Sequence, residues 1–154
     1  MSKQRALNPL NALAGIGLRA QLAQRDYRLC LVALLREALG VLDQARIRPA
    51  KLTKVAPHWL PIVLALPDWL FTRILSSMLK IDPLARSSMW EDFERGRLTE
   101  IDYLNGEFVR LAERLGTRAP LNARVIELVR AAESGGRRDY SAHELLALFT
   151  RRKP

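Results

Sequence analysis

Thr99-Glu100-Ile101-Asp102-Tyr103-Leu104-Asn105-Gly106-Glu107-Phe108-Val109-Arg110-Leu111-Ala112-Glu113-Arg114-Leu115-Gly116 sets apolar side chains at 101, 104, 108, 111 and 115. That is heptad spacing, the stripe of one amphipathic helix from Glu100 to Leu115. Thr99 stands where an N-cap belongs, and Gly116 stands where a helix stops. At about 100° per residue, Glu100 falls close to the apolar seam and Asp102 points away from it. The pattern therefore predicts one carboxylate facing inward at a helix start.

The same period extends to both sides. A first helix is predicted from Leu7 to Gln24, opened by Asn8-Pro9. A second, Tyr27 to Ala45, carries Leu29, Val32, Leu35, Ala38 and Leu42 on one face and ends before Pro49. The basic, two-proline segment from Ile47 to His58 reads as a loop. Short helices are predicted over Trp59–Leu66 and Asp68–Lys80, followed by a break at Asp82-Pro83. Ser88-Met89-Trp90-Glu91 reads as a capping box opening a helix to Arg95, closed by Gly96. Helices at Pro120–Glu133 and Ala142–Arg152 complete the chain, the last with a second box, Ser141 and Glu144. No stretch alternates apolar and polar residues as a half-buried strand does. The expected fold is all-α, with about seven or eight helices in one domain over 1–154.

The 154 residues suffice for one core, and 49% hydrophobic with 27% charged residues is a globular composition. The lone Cys30 and the distant His58 and His143 offer no metal-ligand spacing, so no metal and a reducing, cytoplasmic setting are expected. Cys30 reads as inert core. The apolar run Trp59–Phe71 holds Pro61, Pro67 and Asp68 and is shorter than the roughly 18 residues of a membrane span. The acid-free, basic first 25 residues run straight into a helical pattern, which favours a helix over a transit peptide. A net charge of +9 raises the question of nucleic acid. The bases are scattered apart from Arg137-Arg138 and Arg151-Arg152-Lys153, and no aromatic platform accompanies them, so a solvated surface is the favoured reading.

Chemistry could sit at few places. Glu100 could favour the helix dipole or serve as an acid–base or anchoring group, and spacing alone leaves both open. Ser88 and Asp92, four apart, share a face; they read as a cap and a surface acid, or as part of a carboxylate-binding site at a helix start. Asn8 and Asn11 also share a face. A cap explains Asn8, whereas Asn11 needs a partner.

Arg86-Ser87-Ser88-Met89-Trp90-Glu91-Asp92 followed by Gly96-Arg97-Leu98-Thr99-Glu100-Ile101-Asp102-Tyr103-Leu104-Asn105-Gly106 resembles the ordered signature of the ketopantoate reductase family. Ala6-Leu7-Asn8-Pro9-Leu10 is similar to the segment after that family's catalytic lysine, and Gly116, Pro120 and Asn122 also fit its pattern. The resemblance implies a helical domain of the 6-phosphogluconate dehydrogenase C-terminal type. It further implies a small 2-oxo acid substrate reduced with NADPH, Ser88 and Asn8 at the substrate, Asp92 in support, and Glu100 as the catalytic carboxylate. The lysine would fall ahead of Met1, Gln4 stands where the family has a further asparagine, and no GxGxxG is present. The expectation is thus a substrate-side half that does not bind NADPH by itself and needs a Rossmann domain in cis or in trans. Two other readings are a helical homodimerisation or docking module, associating through apolar surface near Leu7–Leu18, and nucleic-acid binding through the arginines.

Overall fold

The computed structural model describes residues 3–48, 58–78 and 84–150. Among them are ten helices and no strand: α1 (Lys3–Ala14), α2 (Leu18–Leu22), α3 (Arg25–Gln44), α4 (Leu60–Leu64), α5 (Asp68–Met78), α6 (Ser88–Glu94), α7 (Ile101–Leu104), α8 (Gly106–Arg114), α9 (Pro120–Glu133) and α10 (Ala142–Thr150). The all-α expectation holds. The count exceeds seven or eight because two long amphipathic patterns are each cut in two.

The first cut is at Gly15-Ile16-Gly17. Gly15 adopts φ +68, and a Cβ there would lie 2.9 Å from the Arg138 carbonyl oxygen, so the turn needs a residue without a side chain. Asn8-Pro9 does not open α1; Pro9 lies inside the helix. The second cut is at Asn105, which is wholly buried and divides α7 from α8. A helical wheel drawn through both halves still places Ile101 and Phe108 in the core and fails only at Leu115, the residue after α8, which is 40% exposed.

α3 is the axis of the molecule. It packs against α10, α4, α1, α9, α2 and α8, so its burial wraps around most of its circumference, taking in Tyr27, Arg28, Cys30, Leu31, Val32, Leu34 and Leu35. One stripe was expected, but a central helix has neighbours on every side. Arg28 is fully buried among them. Its Nε donates to the Leu64 carbonyl (2.9 Å), Nη1 to Leu22 (2.8 Å), and Nη2 to Leu66 (2.7 Å) and the Asp68 carboxylate (2.9 Å). The guanidinium also stacks 4.2 Å from the Phe71 ring centre. Burial pulls it below its ordinary pKa, a change opposed by Asp68. One arginine thereby fastens the turn between α4 and α5 onto α3. Cys30 is buried as expected, and burial pushes its thiol up to about 12.

Helix ends follow the punctuation in the sequence. Gly96 and Gly116 close α6 and α8 in Schellman turns, with Arg97 N–H donating to the Asp92 carbonyl and Thr117 N–H to the Ala112 carbonyl. Arg46 closes α3 in the same way at φ 56, a conformation that strains a residue with a side chain. Ser141 and Glu144 form the predicted capping box: the Ser141 hydroxyl accepts from Glu144 N–H (3.2 Å) and Glu144 accepts from Ser141 N–H (2.8 Å). The loop predicted over Ile47–His58 and the break at Asp82-Pro83 lie largely outside the described residues. Among those residues no helix is long and apolar enough to cross a membrane.

Candidate functional site

α1 packs against α6 and also touches α7. The helix that carries Asn8 therefore adjoins both the helix of Ser88 and Asp92 and the one that Glu100 precedes. Asn8 lies on α1, with its side chain outside the described residues.

The head of α6 is set by a fully buried amide. Asn11 Nδ2 donates to the Ile16 carbonyl (2.9 Å) and to Gln21 Oε1 (3.0 Å), while its Oδ1 accepts the Ser87 backbone N–H (2.8 Å). This answers why a second amide stands on α1: Asn11 ties α1, the Gly turn and α2 to the start of α6. It also corrects the capping expectation. Ser87, held extended at φ −78 and ψ 155, is the N-cap, and its Oγ accepts from Trp90 N–H (3.1 Å). Ser88 is the first helical residue and is exposed; Asp92, one turn on, is half-buried. Ser88 lies on the exposed surface of α6.

Glu100 does not face inward. It precedes α7 at φ −84 and ψ 24, makes no side-chain cap, and is exposed. The reason is that Glu100 stands ahead of α7 with a non-helical ψ of 24, so a wheel that counts it as a helical residue does not apply to it. Thr99 is not a cap either. It is buried, and both its N–H (2.7 Å) and hydroxyl (2.6 Å) donate to Glu133 Oε1 at the end of α9. Arg130 donates to Glu133 Oε2 (2.7 Å) and to Asp102 Oδ2. Burial raises the Glu133 carboxyl, but the Thr99 and Arg130 hydrogen bonds outweigh it and hold the group below its ordinary range.

The far end of α7 is tied as well. Asn105 Nδ2 donates to Asn122 Oδ1 (3.0 Å), and Glu37 on α3 accepts the Leu121 N–H, the Asn122 N–H and Asn122 Nδ2, each at 2.8 Å. Glu37 supplies from another helix the capping acceptor that Ala119 cannot give α9. Reading the sequence missed Glu37, Glu133 and Arg130, because an acid or base on a helix face looks solvated until the facing amides are known. Asn122 was visible only as part of the family-like pattern.

The arginine pair Arg137-Arg138 is engaged within the chain. Arg137 pairs with Asp139 and Glu144 at 2.7 Å each, and Arg138 pairs with Glu94 at 2.9 Å. Arg151-Arg152-Lys153 lies outside the described residues. Apolar exposure is not where it was expected, since Leu10, Ala12, Leu13 and Ala14 are buried. The most exposed large apolar side chains are Leu84, Leu98 and Tyr103 near α6 and α7, and Trp59, Ile62 and Trp69 on and beside α4 and α5. Among the described residues no three His, Cys, Asp or Glu side chains cluster as metal ligands. Nor does a strand–turn–helix unit of the kind that cradles a dinucleotide occur among them.

Residues 4–133 match the family model described as ketopantoate reductase PanE/ApbA C terminal. The 2-dehydropantoate 2-reductases of Archaeoglobus fulgidus and Pyrococcus horikoshii are each 44% identical to the chain over 50 residues, which is 32% of this chain and 17% of each relative. A PanE/ApbA family ketopantoate reductase from Ralstonia eutropha JMP134, solved as a crystal structure, has the same fold. It superposes with a TM-score of 0.62 at 23% identity, over 86% of this chain and 39% of that one. The chain thus spans well under half the length of the proteins it matches.

Proposed function

This chain belongs to the ketopantoate reductase C-terminal family, and on that premise we propose that it is the substrate-side helical domain of an NADPH-dependent 2-oxo acid reductase. In this reading Ser88 and Asn8 bind the substrate, Asp92 supports them, and Glu100 is the catalytic carboxylate. The supporting observation is the meeting of α1 with α6 and α7, with the Ser88 and Glu100 side chains exposed rather than sealed in core. An exposed serine on α6 and an exposed carboxylate ahead of α7, with exposed Leu98 and Tyr103 near that carboxylate in the chain, suit a half-site completed by a second domain. NADPH belongs in this reading to a Rossmann domain supplied in cis or in trans. This chain's own contribution is to orient the oxo acid and place a carboxylate beside it.

Calorimetric titration tests the division of labour. The chain alone is expected to bind 2-dehydropantoate weakly and NADPH not at all; micromolar NADPH binding would refute it. A second reading, a homodimerisation or docking module, draws on the exposed Trp59, Ile62 and Trp69. Light scattering decides it, since a clean monomer at tens of micromolar speaks against self-association.

A further inference from the structure

Glu100 makes no side-chain cap, and the residue before it and the second residue after it are both tied to one place. On one side Thr99 is buried and gives two hydrogen bonds to Glu133 Oε1. On the other, Asp102 pairs with Arg130. Arg130 and Glu133 are themselves paired at 2.7 Å on the last turn of α9, where the Glu133 side chain is only 4% exposed. The neighbouring Leu98 is 78% exposed. Within Leu98-Thr99-Glu100, therefore, only the middle residue turns inward, and it turns onto a carboxylate.

We propose that the Arg130–Glu133 pair is a positioning device for Glu100: it fixes the backbone on both sides of an exposed carboxylate so that the side chain projects at a set angle from the head of α7. The inference rests on the site reading given under Proposed function. Physically it supplies what an exposed acid lacks. A carboxylate on a free connection would lose orientational entropy each time it met substrate, whereas one between two pinned residues has met that cost during folding. The charges fit the task. Arg130 stands between Asp102 and Glu133 and offsets part of their charge, which reduces like-charge repulsion on Glu100 in a segment rich in acids. The Asn105–Asn122–Glu37 chain holds the other end of α7 to the start of α9, so α9 sets the placement of α7 from both its ends.

The test is an NMR titration of the full chain with 2-dehydropantoate, using the wild type, Glu100→Gln, Thr99→Val, Thr99→Ser and Arg130→Gln. The site reading is judged on the first two: the wild type binds and Glu100→Gln binds more weakly. Positioning is judged on the others, all of which keep Glu100. Thr99→Val and Arg130→Gln should each weaken binding by about tenfold, inside the roughly hundredfold that a misplacement of about 1 Å can cost. Both should lower the order parameter of the Glu100 amide, and Thr99→Ser should restore both readouts. Arg130 is partly exposed, so Arg130→Gln carries the test should Thr99→Val not fold. Wild-type affinity in Thr99→Val and Arg130→Gln, with Glu100→Gln impaired, overturns the positioning role and leaves the site reading standing. A wild type without saturable binding overturns the site reading, and this inference with it.

Discussion

Replacing Asn11 by leucine keeps roughly the volume of the side chain and removes every hydrogen bond it makes. Two of its partners, the Ser87 N–H and Gln21 Oε1, are bonded in buried surroundings, while the Ile16 carbonyl is only part-buried and can turn to water. Each buried group left alone costs about 1–3 kcal/mol, so the two together cost about 4 kcal/mol. The leucine recovers about 1 kcal/mol through its added apolar surface, leaving a net loss of about 3 kcal/mol. At about 3 °C per kcal/mol for a domain of this size, Asn11→Leu should melt about 9 °C below the wild type by circular dichroism. The double variant Asn11→Leu/Gln21→Leu removes one orphan together with its former partner, so it should be about 1–2 kcal/mol more stable than the sum of the single changes. A single variant melting within about 2 °C of the wild type, or strictly additive energies in the double, would refute the picture of Asn11 as the tie between α1, α2 and α6.

Arg46→Gly should raise the melting temperature by about 2 °C: it removes the left-handed strain at φ 56 at the C-terminus of α3 and loses part of the gain to the unfolded-state entropy of glycine. Glu144 is held down at about 2 by the Ser141 N–H, Arg137 and the Ser141 hydroxyl. A depressed folded-state carboxyl stabilises above its unfolded pKa and loses that contribution as pH falls toward 2. The stability difference between wild type and Glu144→Gln, read from urea titrations, should therefore be present at pH 6 and gone near pH 2; a constant difference would count against it. Cys30, with its thiol at about 12, should resist a thiol-reactive disulfide reagent at pH 8 in the native protein and react at once in urea; fast native reaction would mean that α3 is not the buried axis described.

Where a helix boundary depends on residues next to it in the chain, it could be read in advance. α9 runs from Pro120 to Glu133 as its punctuation predicts, and the Ser141–Glu144 box forms as written. Boundaries that depend on distant groups could not be read. The Gly15 turn is set by the Arg138 carbonyl, and Asn105 breaks the α7–α8 pattern while buried against Asn122. Of two adjacent serines, it is the one whose N–H Asn11 captures that becomes the cap. Arg28 was the least legible residue, because an arginine on a helix reads as surface until three carbonyls from other segments converge on it. In the candidate site, the residue types and their order were plain. The direction of Glu100 was not, since it stands just ahead of α7 with non-helical backbone angles that no local period reveals.

The Tyr27 hydroxyl donates to the Tyr140 carbonyl, 113 residues away, and the Tyr140 N–H returns to the Leu13 carbonyl, while α10 lies along α3. During synthesis, at about 5–20 residues per second, α3 must leave the ribosome with one flank bare and wait several seconds for α10. Chaperone traffic on this protein should therefore concentrate on that interval, and a ribosome paused anywhere before residue 142 would hold a chain whose central helix is still open to strangers.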